Sequence, residues 1–479
     1  MTLAKFVRKT LIDNLKHNPT PGQEHAIALL GDFLPNDEVA ACFILKGYAG
    51  TGKTTLIGAL VRTLQALDMQ FQLLAPTGRA AKVLATTAGT PAFTIHRTIY
   101  SVEDSNTGAP SFLRRKNLSP GTLFIVDEAS MISHRPDAAL KLISESLLND
   151  LIAFVKGAEG CRLMLVGDTA QLPPVGESHS AALDPDALRY AFPEIYECTL
   201  TEVVRQEKES GILHYATAIR NDLDENNIAL PTFSTRIFPD FSQLQNYDFE
   251  SELHDIYSKT QVDENIILTR SNRRANEYNT FIRQTVLDRS DPLVPGDRLM
   301  VCRNSYFWTK DIPAIPFIAN GDMIRLERIS NRTQKYGMMF ADIDFTLEDF
   351  PDIEISATCM LDVLKANTPA LPQEQSQELY RSVRLELEQK YGKNGLAERV
   401  RQNPYLNALQ LKYGYAVTCH KAQGGQWKNV LLDVELYRSI EISRDLLRWI
   451  YTAITRARTH LYLINPPRTI LAADSYDEL

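Results

Sequence analysis

The sequence predicts an α/β protein built on parallel sheets, and three observations predict it. Short apolar runs end in glycine, acidic or hydroxyl residues. Each is followed by a stretch with helical spacing, and a central region interrupts that alternation with short, turn-rich strands. Residues 3–17 set Phe6, Leu11, Ile12 and Leu15 at helical spacing, and Thr20-Pro21 opens a second helix through GQEHAIALLGDFL. ACFILKG is an apolar strand that runs into glycines and then into the helical TTLIGALVRTLQALD, the first strand-turn-helix unit of a parallel sheet. QFQLLAPT and GRAAKVLATTAG repeat that unit, and TLFIVDEAS and RLMLVGDTAQ add two more buried strands with polar ends. Four such ends place a site at the carboxyl edge of one sheet. This first domain is expected to span 1–195, with a hairpin inserted at about 101–119, where Asn106-Thr107-Gly108 makes the turn. A second α/β pattern begins at NIILTRSNRRANEYNTFIRQTV, and its partners come much later, in LKYGYAVTCHKAQG, NVLLDVEL, SRDLLRWIYTAITRA and HLYLIN. The second domain is therefore expected to be split, 196–291 and 408–479, around a β-rich insertion at 292–407 that carries an exposed helix after Pro372.

Length and composition fit this organisation. A chain of 479 residues implies three or four packed units at roughly 100 to 200 residues each. With 44% hydrophobic and 23% charged residues it is globular, and its net charge of −8 argues against a protein that coats nucleic acid through bulk charge. A local basic groove stays open. The six cysteines are scattered without a C-x-x-C pair, which suits reduced thiols better than a zinc site or a disulfide framework. No run of about 20 apolar residues occurs, and the first residues are interrupted by Lys5, Arg8, Lys9 and Lys16. The expectation is a soluble, cytoplasmic protein without a membrane partner.

Gly47-Tyr48-Ala49-Gly50-Thr51-Gly52-Lys53-Thr54 fits G-x-x-x-x-G-K-[ST] between a strand and a helix. Glycines let backbone N–H groups close around phosphates, Lys53 reaches the terminal phosphates, and Thr54 can ligate Mg²⁺. Phe124-Ile125-Val126-Asp127-Glu128 is an apolar strand ending in two carboxylates. Alone, such a pair is as often a solvated strand end. Beside a phosphate loop, Asp127 is expected to hold Mg²⁺ and Glu128 to polarise the attacking water. Gln171 follows a strand end at Gly167-Asp168 and is suited to sense a γ-phosphate. Arg205 and Arg456 lie outside the first core, where lone arginines usually sit at surfaces or in ion pairs, and spacing alone does not bring them to the phosphates. At this level a P-loop ATPase switch without translocation stays open.

Taken in order, the motifs resemble the superfamily 1 DNA helicases, in the 5′-to-3′ branch of RecD-like, TraI-like and phage Dda-like enzymes, from about Thr20 to Asn465. Thr20-Pro21-Gly22-Gln23 is similar to the Q-motif, Gly47–Thr54 to motif I, Ala75–Lys82 (APTGRAAK) to motif Ia, and Thr94-Ile95-His96 to the motif after it. Val126–Met131 resembles motif II, Gly167–Val175 (GDTAQLPPV) motif III, and Leu200–Gln206 motif IV. Thr269-Arg270-Ser271-Asn272, Thr418–Gly424 (TCHKAQG) and Tyr451–Arg458 (YTAITRAR) resemble the later strand-end motif, motif V and motif VI. The chain departs from many relatives at Gly424-Gly425-Gln426-Trp427, where they carry an acidic or hydroxyl residue near Gln426.

The resemblance implies two RecA-like parallel-sheet domains with ATP between them, an inserted hairpin and an inserted SH3-like β domain. It implies adenine recognition by Gln23, a nucleotide site of Gly47, Ala49, Gly50, Thr51, Gly52, Lys53, Thr54, Thr55 and Gly424, and arginine fingers at Arg205 and Arg456. Catalysis falls to Lys53, Glu128, Gln171 and the two arginines, with ATP and Mg²⁺ as cofactors. Thr77, Arg79, Lys82, His96, Asn272, Thr418, His420 and Lys421 are the expected DNA contacts, and Phe112 of the hairpin the expected base wedge. The expected partners are single-stranded DNA and forked duplex, with single-strand-binding or repair proteins also compatible, and the chain is expected to act as a monomer. A subunit role in a nuclease–helicase complex and an RNA substrate both stay compatible with the same motifs.

Overall fold

The computed structural model describes residues 2–15, 17–36, 40–104, 110–136, 146–203, 210–244, 248–315, 317–434 and 442–473. In chain order the first strands are β1 (Ala41–Gly47), β2 (Phe71–Ala75), β3 (Ala92–Thr94), β4 (Tyr100–Asp104), β5 (Pro110–Arg114), β6 (Leu123–Val126), β7 (Arg162–Gly167) and β8 (Glu194–Leu200). Six of them form one parallel sheet in the order β3-β2-β6-β7-β1-β8, while β4 and β5 pair as a separate antiparallel hairpin. Strands β6 and β7 are buried along their whole length, as expected where helices cover both faces of a parallel sheet. One face packs Phe43, Leu45 and Ile125 under the helices Pro21–Phe33 and Lys53–Ala66, and the other packs Ile44, Phe124 and Leu163 with Leu151 and Phe192.

The sheet runs past the expected boundary at 195. β8 pairs along β1 as far as Leu200, and its partly exposed pattern marks an edge strand. At the N-terminus the helix Leu3–Asp13 forms as its spacing predicts, but it packs through Val7, Leu11 and Leu15, one residue every turn. Phe6 and Ile12 point outward, 43% and 45% exposed.

The second half contributes β9 (Phe241–Leu244), β10 (Asn265–Thr269), β11 (Arg298–Val301), β12 (Met323–Lys335), β13 (Met338–Leu347), β14 (Phe350–Met360), β15 (Leu409–Tyr413), β16 (Ala416–Thr418), β17 (Trp427–Asp433) and β18 (Ala457–Ile464). A second parallel sheet has the order β16-β10-β17-β18-β9, and β11 to β15 close a small barrel between its halves. Two RecA-like sheets with an inserted hairpin and an inserted β-barrel are therefore present. The run LKYGYAVT, which reads as one strand of the second domain, divides at Gly414. Leu411 and Tyr413 pair with β11 of the barrel, whereas Ala416–Thr418 pairs with β10. The exposed helix after Pro372 is Gln373–Tyr391, anchored on the barrel by Leu379 and Val383 against Phe340 and Met360. The hairpin turn, 105–109, and Arg205 lie outside the described residues, and so does the side chain of Phe112. All six cysteines are buried free thiols. Among the described residues no helix is long and apolar enough to cross a membrane.

Barrel and second sheet are tied by a fully buried carboxylate. Asp297 accepts from Arg283 Nε (3.1 Å) and Nη2 (2.9 Å), Arg289 Nη1 (3.0 Å), the Tyr415 hydroxyl (3.0 Å) and the Val294 amide (2.9 Å). Removing it strands a guanidinium that is 3% exposed, so Asp297→Ala is expected to cost about 3–5 kcal/mol. A lowered denaturation midpoint measures this, and an unchanged one would show that the network contributes nothing.

Candidate nucleotide and strand-binding site

The phosphate loop forms where β1 gives way to the helix Lys53–Ala66. Gly50 and Gly52 adopt φ of +79° and +83°, the left-handed region that a Cβ disfavours, which lets successive amides face inward. Thr54 and Thr55 follow in the first helical turn. Lys53 Nζ donates to the carbonyls of Gly47 (2.7 Å) and Tyr48 (2.9 Å), so its ammonium lies within the loop. Gln23 is fully buried at the third position of its helix. Its amide oxygen accepts from Thr20 N (3.1 Å) and its Nε2 donates to Thr51 O (3.3 Å), so both ends are spent on a capping box and on bracing the loop. Adenine recognition by Gln23 would have to displace one of these bonds.

Asp127 and Glu128 follow β6. The Glu128 amide donates to Asp127 Oδ1 at 2.9 Å, and Glu128 itself sits at φ +54°, an uncommon backbone state for a non-glycine residue. Burial, reinforced by the neighbouring Glu128 charge, pushes the Asp127 carboxyl up to about 7, although Lys53 pulls the other way. Asp127 makes no ion pair among the described residues, and with the Thr54 hydroxyl it offers the hard oxygen donors that Mg²⁺ prefers. The residues present therefore fit that ion. Beyond β7, Gln171 is 6% exposed and its amide oxygen has no partner, and the buried Ser130 hydroxyl beside motif II has none either. Both line a cavity of about 220 Å³ shared with Lys46, Asp168 and Arg448.

The second domain reaches into this machinery through the helix Arg444–Ile454. The Tyr451 hydroxyl donates to Asp168 Oδ2 (2.7 Å) and accepts from the Ala49 amide (2.9 Å) of the phosphate loop. Thr452 Oγ1 accepts from Leu172 N (2.9 Å), and Gln423 Nε2 donates to Leu172 O (2.8 Å). Arg456 is 3% exposed and donates to the carbonyls of Thr452 (3.0 Å) and Gly425 (3.3 Å) and to Thr455 Oγ1 (3.1 Å), without an ion pair among the described residues. Here it faces its own domain. Tyr451 and Arg448 are not among the site residues expected from sequence; they lie on the helix Arg444–Ile454 that leads directly into Arg456, which was the available signal.

The expected strand contacts collect at the carboxyl edges of both sheets. Ala75 at the end of β2 lies beside Thr94 at the end of β3, which sets Thr77 and His96 on one edge, and Thr269 lies beside Thr418 on the other, next to Asn272, His420 and Lys421. Gly424 joins the two edges. It was expected with the nucleotide, but at φ +73° it packs on motif Ia, where a Cβ would stand 3.1 Å from Thr77 Oγ1 and 2.9 Å from Ala80 Cβ. Arg79 stacks on the Trp427 ring, 3.9 Å from its centroid, and burial with Arg298 nearby lowers its guanidinium to about 10. Trp427 is 3% exposed in the core of the second domain, so it is a packing residue and the platform for Arg79. Lys82 is answered by the turn between β13 and β14: its Nζ lies 3.1 Å from Asp349 Oδ1 and donates to Glu348 O at 2.8 Å.

Comparison with known proteins agrees with this geometry. A family model described as an AAA domain matches residues 21–232, and one described as a UvrD-like helicase C-terminal domain matches 413–464. The chain is 36% identical over 175 residues to the ATP-dependent RecD2 DNA helicase of Deinococcus radiodurans, a match covering 36% of this chain and 21% of that protein. It is 23% identical over 450 residues to the ATP-dependent DNA helicase dda of Enterobacteria phage T4, covering 88% of this chain and 93% of that one. A crystal structure of Pif1 helicase from Candida albicans aligns over 95% of each chain at 16% identity, with a TM-score of 0.46. With its motifs in order on two RecA-like sheets, the chain pairs an AAA domain with a UvrD-like helicase C-terminal domain and is similar to ATP-dependent DNA helicases of the RecD2 and Dda kinds, spanning about a fifth of the first and nearly all of the second.

Proposed function

We propose that this helicase moves 5′ to 3′ along single-stranded DNA and separates duplex at forks. The direction follows the motif resemblance to the 5′-to-3′ branch, and the observation that supports ATP-driven movement is the Tyr451 bridge, in which one hydroxyl of the second domain binds the phosphate loop and the motif III carboxylate of the first. A change at the phosphates then has a direct route into the second domain, and Gly424 against Thr77 puts both strand-binding edges on the same moving joint. In the mechanism, Lys53 and the loop amides bind the phosphates of ATP, and Gln171 donates from its side-chain Nε2 to the terminal one. Thr54 and Asp127 would hold Mg²⁺, which neutralises phosphate charge when bound. Glu128 takes the proton of the attacking water. Arg456, and Arg205 by resemblance, turn toward the developing charge as the cleft closes, and reopening shifts one strand grip past the other. The direct test is ATPase turnover with and without single-stranded DNA. Stimulation supports the coupling, while turnover indifferent to DNA would mark a P-loop switch.

The barrel turn supplies a second prediction. Asp349 competes with a DNA phosphate for Lys82, an ion pair whose side chains are 26% and 46% exposed. Asp349→Asn is expected to tighten single-strand binding about twofold to fivefold, the range of a half-exposed ion pair, with a steeper salt dependence. Titration at several salt concentrations reads this, and unchanged binding would make Lys82 a purely structural strut.

A further inference from the structure

A second cavity, of about 620 Å³, lies away from the ATP cleft, between the base of the hairpin, the loop from β11 to β12 and the segment entering β15. Its walls carry Arg115, Arg303, Lys310 and Arg401 with the rings of Tyr306 and Phe307, and no carboxylate. Arg401 is ion-paired with Glu398, but Arg115, Arg303 and Lys310 make no ion pair among the described residues. In a chain of net charge −8, three unneutralised cations around one cavity are a local reversal of sign. Their supports are built in. Arg115 Nε donates to Tyr100 O at 2.8 Å, fixing that guanidinium at the root of the hairpin, and Lys310 Nζ lies 4.6 Å from the Phe307 centroid.

The cavity also continues another groove. Tyr306 stacks on Phe317, with centroids 5.0 Å apart, and Phe317 lines the neighbouring groove of about 480 Å³ between the barrel and the first domain, together with Phe93, Thr94 and Arg97. The ring pair is therefore a shared wall from the strand edge of the first domain to the cationic cavity. Cations that meet phosphates, beside rings that meet bases, are the chemistry that holds single strands, and the volume suits about one or two nucleotides.

We propose that this cavity binds single-stranded DNA as a continuation of the strand expected along the Thr77 and His96 edge, extending the track to the foot of the hairpin. The proposal rests on the helicase reading. Its occupant is a nucleic-acid strand, because an acidic protein segment would use the cations and leave the rings unexplained.

The test is equilibrium binding of oligothymidylates of increasing length to the wild-type chain and to an Arg303→Ala/Lys310→Ala double variant. Both side chains are exposed and make no ion pair among the described residues, so the variant is expected to fold normally. The wild type should bind more tightly as length grows until the strand reaches the cavity. The double variant should match it on the shortest strands, lose about tenfold on long ones, and show a salt slope smaller by about 1.4, the loss of two single-strand phosphate contacts. Equal affinity and slope for both proteins at every length would overturn the cavity assignment. So would an acidic peptide that binds the wild type and not the variant while DNA binding is unchanged. Failure of the helicase reading looks different, since the wild type itself would then show no single-strand binding and no DNA-stimulated ATPase.

Discussion

Lys53→Ala is expected to lower kcat for ATP hydrolysis by about 10²–10³-fold and, with it, to abolish strand separation. The ammonium is the cation the chain places inside the phosphate loop, held there by the carbonyls of Gly47 and Tyr48. Water that takes the place of the lysine brings no positive charge to the transferring phosphoryl group, so the lost stabilisation is not made good. The fold should survive, since the lost contacts are two hydrogen bonds to backbone oxygens at the first position of a helix that is otherwise anchored by Leu56, Ile57 and Leu60. Steady-state ATPase with a circular-dichroism control measures both parts. Retained strand separation in the purified variant would sink the assignment of this loop as the motor.

Glu128→Gln is expected to reduce kcat by about 10²–10⁴-fold, the range for loss of a general base, while nucleotide binding persists. The neutral amide keeps the shape of the carboxylate and the φ +54° backbone that aims it, so the effect falls on proton removal. The two variants then separate by signature. Lys53→Ala should raise the nucleotide dissociation constant as well as lower turnover, and Glu128→Gln should lower turnover alone. If Glu128→Gln loses nucleotide binding in the same proportion, Glu128 is holding the site together and is not its base.

Much of this site is legible in the sequence because it sits at the ends of strands that are buried on both faces. ACFILKG, LFIVDE and RLMLVGD announce themselves as unbroken apolar runs, and the chemistry follows at their carboxyl ends. What the sequence hides is of two kinds. Edge and closing strands lack the full run: β8 is half-exposed through its first three residues and alternates exposed with buried only over its last four, β9 is the four residues FSQL, and β15 merges with β16 until Gly414 bends the chain into a different sheet. Contacts between domains carry no local signal at all. Nothing around Trp427 shows that Arg79, far earlier in the chain, lies on its face, and nothing around Gly424 shows that it seats against Thr77. Gln23 is an intermediate case. Thr20-Pro21-Gly22-Gln23 is also the T-x-x-Q of a capping box, and that local rule accounts for where its amide oxygen points.

The measurement that bears most directly on the central claim is unwinding, with ATP, of DNA duplexes carrying a 5′ tail, a 3′ tail or a fork, set beside the RNA equivalents. Strand separation is expected on 5′-tailed and forked DNA, with none on 3′-tailed DNA and none in the Lys53→Ala protein. Unwinding confined to 3′-tailed substrates would reverse the direction proposed here, and DNA-stimulated ATPase without unwinding of any duplex would contradict the claim that the two domains convert hydrolysis into strand separation.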